Sequence, residues 1–368
     1  MKPDADNTIA ISAVGACTCM GNSISSAAAF RAGVTRTKIL EDISSDDDEA
    51  EKSPTYSGYP ISFLTESFEG LGRYVRMGSA ALHELIDSAH LNQNQVNNTA
   101  FICTLPCFVE EMTDDESLLD DIKALEKHYS EIFFTRTGYH NGIKIPEKNQ
   151  YYYFGGATGF FKGVNKAIDM LQNQHYQYCV VGSVDSLIDP PKLMQLCETG
   201  RLKGPENAAG IMPGEACAFI LLTLSGTPDK LPVQLCPASF ARESNNYYSG
   251  IPSTGSALQK VLTEALSKLN GSSSPEGDLY HDLNGETYRS HEWGLTEVMT
   301  SKSLQQRRWL RHLPAESFGD TGVAYGALAT VLAYRAFIRG YAAGNNATVL
   351  CSDTMSERAS LYLYQALN

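Results

Sequence analysis

Thr158 and Asp320 each sit inside a glycine-flanked turn, Gly156-Ala157-Thr158-Gly159 and Gly319-Asp320-Thr321-Gly322, and each turn precedes a helical pattern. Such a turn brings the backbone close to a ligand, and the helix start behind it offers unpaired N–H groups and partial positive charge. A threonine hydroxyl attacks only when a base withdraws its proton, and Asp320 is the base that the sequence offers. An aspartate at a helix start is favoured as an N-cap and stays ionised and weakly basic there, so the structural role of Asp320 outweighs the catalytic one. In Asn284-Gly285-Glu286, Asn284 donates and accepts hydrogen bonds but does not titrate. Glu286 reads as a pocket-rim carboxylate rather than an acid catalyst. His281, three residues before Asn284 on a strand pattern, turns to the opposite face, and His291 lies beyond the turn.

Sulfur and metal chemistry are poorly served. The nine cysteines form no CxxC pair, and Cys17, Cys103 and Cys179 lie in apolar strand runs, as core thiols do. The eight histidines show no HxxxH or HxH pairing, and Cys17-x-Cys19 has no second pair at a zinc spacing, so no metal is expected. No phosphate-binding glycine fingerprint follows a strand, so no nucleotide cofactor is expected either.

The elements that must position these residues alternate. Strands are predicted at Thr8–Gly15, Ala100–Leu105, Tyr151–Phe154, Tyr178–Val181 and Ala216–Leu224, with helices at Ser25–Ala32, Tyr74–Leu91 and Asp114–Tyr129. The aromatic run Tyr151–Phe154 reads as core or subunit interface. Behind the first turn, Phe160, Phe161, Val164, Ala167, Ile168 and Leu171 share one stripe of a core-facing helix. Ser225-Gly226-Thr227-Pro228 reads as a hinge, which divides the chain into halves 1–226 and 227–368. A similar order then returns: a strand at Val233–Leu235, a helix carrying Leu258, Val261, Leu262, Ala265, Leu266 and Leu269 on one face and ended by Asn270-Gly271, and a strand at Leu279–Leu283. A helix over Val323–Arg339, apolar almost all round, and a strand at Ala347–Cys351 complete it. The pattern is a duplicated α/β unit whose two central helix starts face one pocket.

At 368 residues with 43% hydrophobic side chains, the chain fills a sizeable core. Lys+Arg of 29 against Asp+Glu of 42 gives 29 − 42 = −13, which repels phosphate backbones and argues against nucleic acid as the main ligand. Glu41–Lys52 concentrates acidic side chains and reads as a solvated loop. Unpaired buried thiols suit a reducing compartment, and the polar start Met1-Lys2-Pro3-Asp4 lacks the apolar stretch of a signal peptide, so a cytoplasmic protein is expected. The most apolar segment, Val323–Ile338, is short and contains Arg335, so no membrane span is expected.

With these elements in order, the sequence resembles the β-ketoacyl-acyl-carrier-protein synthases of the thiolase superfamily. Four segments carry the resemblance: Ile11–Thr18 through Gly21-Asn22-Ser23, Val180–Asp189, Met212-Pro213-Gly214-Glu215-Ala216, and Gly319–Ala327. It implies a thiolase-like fold of two pseudo-repeat halves in five αβαβα layers, with the pocket between two central helix starts. It also implies a cysteine nucleophile at a helix start and two histidines that assist decarboxylation and hold the enolate oxygen. Matched to the family's segments, the nucleophile position falls on Ala157, the first histidine on Asn284, the second on Asp320, and a nearby lysine on Ala315. The resemblance therefore implies a degenerate member, similar to the chain-length-factor subunits that pair with an active synthase.

Two functions follow as expectations. In the first, the chain is a non-catalytic partner, scaffold or adaptor that binds another protein or an acyl chain, as a homodimer or as a heterodimer with a synthase-like subunit, with an acyl carrier protein or a cargo protein as further partner. In the second, it is an acyltransferase or decarboxylase using Thr158, Asn284 and Asp320 in altered roles, with Glu286 and Gly319 beside them in the pocket. The lack of a base that titrates near neutral pH favours the first.

Overall fold

The computed structural model describes residues 8–40, 55–106, 116–205, 207–224, 233–268, 276–305 and 308–365. The acidic run Glu41–Lys52, the hinge Ser225–Pro228, Leu269, the helix end Asn270-Gly271 and Cys107 lie outside the described residues.

Thirteen strands are described: β1 (Ile9–Cys17), β2 (Lys38–Leu40), β3 (Tyr56–Gly58), β4 (Thr99–Pro106), β5 (Gln150–Gly155), β6 (Tyr178–Ser186), β7 (Glu215–Leu224), β8 (Val233–Leu235), β9 (Ser239–Arg242), β10 (Glu276–Tyr280), β11 (Arg308–His312), β12 (Asn346–Ser352) and β13 (Glu357–Gln365). Apart from the small β2–β3 ribbon, they lie on one path, β5-β4-β6-β7-β1 followed by β8-β13-β12-β10-β11, with β9 beside β13. Read from its outer edge inward, each run sets its strands in the same chain order: third, second, fourth, fifth, first. The pairing repeats as well. β5–β4 and β4–β6 are parallel while β6–β7 and β7–β1 are antiparallel, and β11–β10, β10–β12, β12–β13 and β13–β8 follow the same sequence of directions. The three-residue β8 joins the runs by pairing with β1 on one side and β13 on the other.

Alternation along the strands builds the layers, because successive side chains leave a strand on opposite faces. In β4, Ala100 and Ile102 enter the central core while Phe101, Cys103 and Leu105 enter an outer one; in β13, Ala359, Leu361 and Leu363 face the centre and Tyr362 the far side. The central core is filled by two helices, Gly159–Gln172 and Tyr325–Ile338. The predicted stripe Phe160, Phe161, Val164, Ala167, Ile168 and Leu171 is buried throughout. Helices Gly70–Ala89 and Glu116–His140 cover the first sheet, and Ser256–Ser267 and Thr287–Gln305 the second. This is the thiolase-like five-layer α/β arrangement.

Several boundaries differ from the sequence reading: the helix expected over Asp114–Tyr129 runs from Glu116 to His140, and the strand expected over Tyr178–Val181 continues to Ser186. The strand expected to reach Leu283 ends at Tyr280, since Asp282 turns away to accept from the Ser352 backbone N–H and Asn284 to donate to the Asp320 carboxylate. The helix expected from Val323 begins at Tyr325, after a single tight turn at Gly322–Ala324. Helix Thr287–Gln305 and strands β11 and β13 have no counterpart in that reading. No described helix is long and apolar enough to cross a membrane.

Candidate functional site

Both glycine-flanked turns open on the same small cavity. Ala157 reaches it from the turn that ends β5, Asp320 and Tyr325 from the turn before the second inner helix, and Asp282, Asn284 and Arg289 from the segment after β10. Its volume is about 20 Å³, room for about one water molecule and none for an acyl chain. A cleft of about 260 Å³ lies in front, sharing Ala157, Arg289 and Asp320 and adding Asp185, Lys192 and Asp353. Among the described residues no cysteine or histidine lines either space.

The Asp320 turn is held from behind. Asp320 N–H donates to the Met212 carbonyl and its own carbonyl accepts from Gly214 N–H, each at 2.8 Å, so Met212–Glu215 forms a strap across it. Glu215, in the same strap, is fully buried and accepts from Arg73 Nη1 at 2.7 Å and from Thr65 Oγ1 at 2.6 Å. Asp320 Oδ1 accepts from Gly322 N–H at 2.8 Å within the turn, but Asp320 is not the expected N-cap: Thr321 holds that place for the Gly322–Ala324 turn and Ala324 for the α-helix behind it. Gly322 has φ +54, and a Cβ there would lie 2.1 Å from Asp185 Oδ2, so only glycine fits.

Asn284 is locked by two carboxylates. Its Nδ2 donates to Asp320 Oδ2 at 2.6 Å and to Glu286 Oε2 at 2.9 Å, using both of its hydrogens. Glu286 is not at a rim. It is 5% exposed and makes a two-pronged pair with Arg201, at 2.8 Å from Nε and 3.1 Å from Nη2. Burial pushes the Glu286 carboxyl up, but Arg201, Arg289 and Asn284 outweigh it and hold the pKa below the ordinary value. Arg201 in turn stacks over the Tyr247 ring at 4.4 Å. Beside this chain, Arg289 bonds Asp282 and donates to the Ser352 carbonyl at 2.7 Å. Burial raises Asp282, yet Arg289, His281 and the Ser352 N–H hold it down at about 2.

Thr158 and Asp320 are not joined by a hydrogen bond. Thr158 Oγ1 is 1% exposed as a residue and donates to Glu357 Oε2 at 2.9 Å, while the same carboxylate takes Lys162 Nζ at 2.5 Å. Burial pushes Glu357 up, but Lys162 and Thr158 prevail and lower its pKa, which makes it a weak base. His281 is buried edge-on against Trp293, ring centroids 4.4 Å apart, and lines neither space. Burial pushes the Cys17, Cys19 and Cys179 thiols up to about 12 and those of Cys103, Cys217 and Cys351 well above the usual value, which leaves them as inert core groups. Among the described residues no group of His, Cys, Asp and Glu is placed to hold a metal ion.

The arginines were invisible to sequence reasoning. Arg201 and Glu286 are 85 residues apart, and Arg289 reaches Ser352 across 63, so no local spacing marks the pairs. Asp353 also escaped notice: a Cβ on Gly156 would lie 1.6 Å from its Oδ2, so this carboxylate sits directly on the first turn.

No protein-family model matches the sequence, and no curated protein matches it. Solved structures do. The chain is similar to a type II polyketide synthase acyl-carrier protein in complex with its ketosynthase bound to the hexaketide, with 12% identity over 98% of this chain and 100% of the other and a TM-score of 0.71. It is similar to the ketosynthase from module 6 of the bacillaene synthase from Bacillus subtilis 168, with 13% identity over 98% of this chain and 72% of the other and a TM-score of 0.71. It is also similar to the ishigamide ketosynthase/chain length factor, with 14% identity over 98% of this chain and 100% of the other and a TM-score of 0.63. At such identities the likeness is one of fold, and the fold is that of the ketosynthases.

Proposed function

We propose that this ketosynthase-fold protein lacks the Cys-His-His triad and acts as a non-catalytic partner, scaffold or adaptor that works through another protein or a bound acyl chain. The observation that carries the reading is the cavity at the two helix starts, where the Ala157 methyl faces an amide and a carboxylate already committed to each other. Ala157 offers no nucleophile, Asn284 does not titrate, and Asp320 has both carboxylate oxygens taken by hydrogen bonds, from Asn284 Nδ2 and Gly322 N–H. The likeness to a ketosynthase/chain length factor and to a ketosynthase with its carrier protein supports pairing with a synthase-like subunit, as homodimer or heterodimer, and an acyl carrier or cargo protein as further partner. Strand β5, which among the described residues ends the sheet and pairs only with β4, offers an edge for such pairing. The division into halves 1–226 and 227–368 is part of the same proposal, supported by the repeated strand order. A cytoplasmic location fits its free thiols.

The competing acyltransferase or decarboxylase reading needs a base for Thr158, and the bond to an ion-paired Glu357 counts against it. Malonyl-carrier decarboxylation and acyl transfer, measured with the wild type and Thr158→Ala, separate the two. No turnover by either protein is expected. Turnover by the wild type that disappears in the variant overturns the proposal.

A further inference from the structure

Helix Ser23–Arg31 and the C-terminal end of helix Tyr325–Ile338 enclose a separate cleft of about 420 Å³. It shares no lining residue with the cavity at Ala157. The charged side chains on its walls are all arginines, Arg31, Arg335 and Arg339, in a chain of net charge −13. The rest of the lining is Tyr341 and an apolar floor of Ile24, Ala27 and Ala28.

The arginines differ in how far they are neutralised. Arg335 is pinned by Ser23 Oγ, at 3.0 Å from Nε and 2.7 Å from Nη2, and pairs with Glu84 at 3.4 Å. Arg31 lies over the Tyr341 ring, 4.5 Å from its centroid. Among the described residues neither Arg31 nor Arg339 has a carboxylate within ion-pair distance, and the Tyr341 hydroxyl has no hydrogen-bond partner. Burial raises the Tyr341 pKa, and the three guanidinium groups oppose that rise. Asp278 acts on Tyr341 in the other direction, but it does not line the cleft, and its oxygens are taken by His312 Nε2 at 2.7 Å and Ala343 N–H at 2.9 Å.

Two helices end here, and cations at helix ends commonly offset the helix dipole. Each end is equivalent to about half a negative charge, so the two together match about one arginine. Glu84 matches another. One guanidinium charge remains on the walls with an unpartnered phenol beside it.

We propose that this cleft binds a small organic anion, a phosphate monoester with an apolar body, whose phosphate takes Arg31, Arg339 and the Tyr341 hydroxyl and whose body lies on Ile24, Ala27 and Ala28. Guanidinium forks suit phosphate oxygens. The volume falls in the range of pockets that take organic ligands and exceeds the needs of a bare ion.

The test uses phenyl phosphate, inorganic phosphate and phenol as probes, with binding followed by calorimetry on the full chain. Phenyl phosphate is expected to saturate with a Kd of about 1 mM or lower and to bind about tenfold more tightly than either fragment. Arg31→Gln/Arg339→Gln, two exposed positions, is expected to keep the wild-type melting temperature and to lose about tenfold or more in affinity. Absence of saturation by phenyl phosphate, equal affinity for inorganic phosphate, or an unchanged Kd in the double variant each overturns the proposal.

Discussion

A single side-chain amide, that of Asn284, bridges Asp320 and Glu286 and so ties the second glycine-flanked turn to the buried Arg201 pair. Removing it leaves two carboxylates short of a donor each. Asn284→Ala is expected to destabilise the fold by about 1–3 kcal/mol, the cost of unsatisfied buried acceptors. Urea unfolding measures this; an unchanged midpoint contradicts the structural role of the amide.

The Asp282–Arg289 pair predicts an acid-labile step. A carboxyl whose folded pKa is depressed stabilises the fold above its unfolded pKa and loses that contribution as pH falls through the folded value. For Asp282 the window runs from the unfolded value of about 4 down to about 2. Stability measured across that range should fall with pH, and Asp282→Asn should flatten the fall while lowering stability at neutral pH, since Arg289 loses its charged partner. An equal slope in wild type and variant contradicts the assignment.

Gly156 and Asp353 form a coupled contact. Gly156→Ala places a methyl group inside the space of the Asp353 carboxylate, and destabilisation of about 1–3 kcal/mol is expected from the forced shift. In Gly156→Ala/Asp353→Ala the clash is gone, so the two effects should fail to add by about 0.5 kcal/mol or more. Additive melting shifts contradict the contact.

Much of this architecture was legible in the sequence because its inner elements obey simple periods. The stripe from Phe160 to Leu171 fixed the first inner helix, and the all-round apolar run after Val323 marked the second, since each is buried as the pattern requires. Ala157, Asn284 and Asp320, which only the family resemblance singled out as site positions, line one cavity. Helix Thr287–Gln305 was not, because it packs through Trp293 and through polar groups such as Glu292, Thr296 and Thr300, all buried, and no apolar stripe announces it. Glu292 finds Arg358 across 66 residues, and Thr158 finds Glu357 across 199. Such pairs depend on the tertiary fold and leave no local spacing to read, which is why Thr158 was matched to the wrong carboxylate and Glu286 was set at a rim.

The central claim, that the first helix start carries no acyl-accepting group, is tested most directly by intact-protein mass spectrometry after incubation with an acyl-carrier thioester. The account predicts an unchanged mass of 40.2 kDa. A stoichiometric acyl adduct that maps to the Gly156–Gly159 turn and disappears in Thr158→Ala would contradict it.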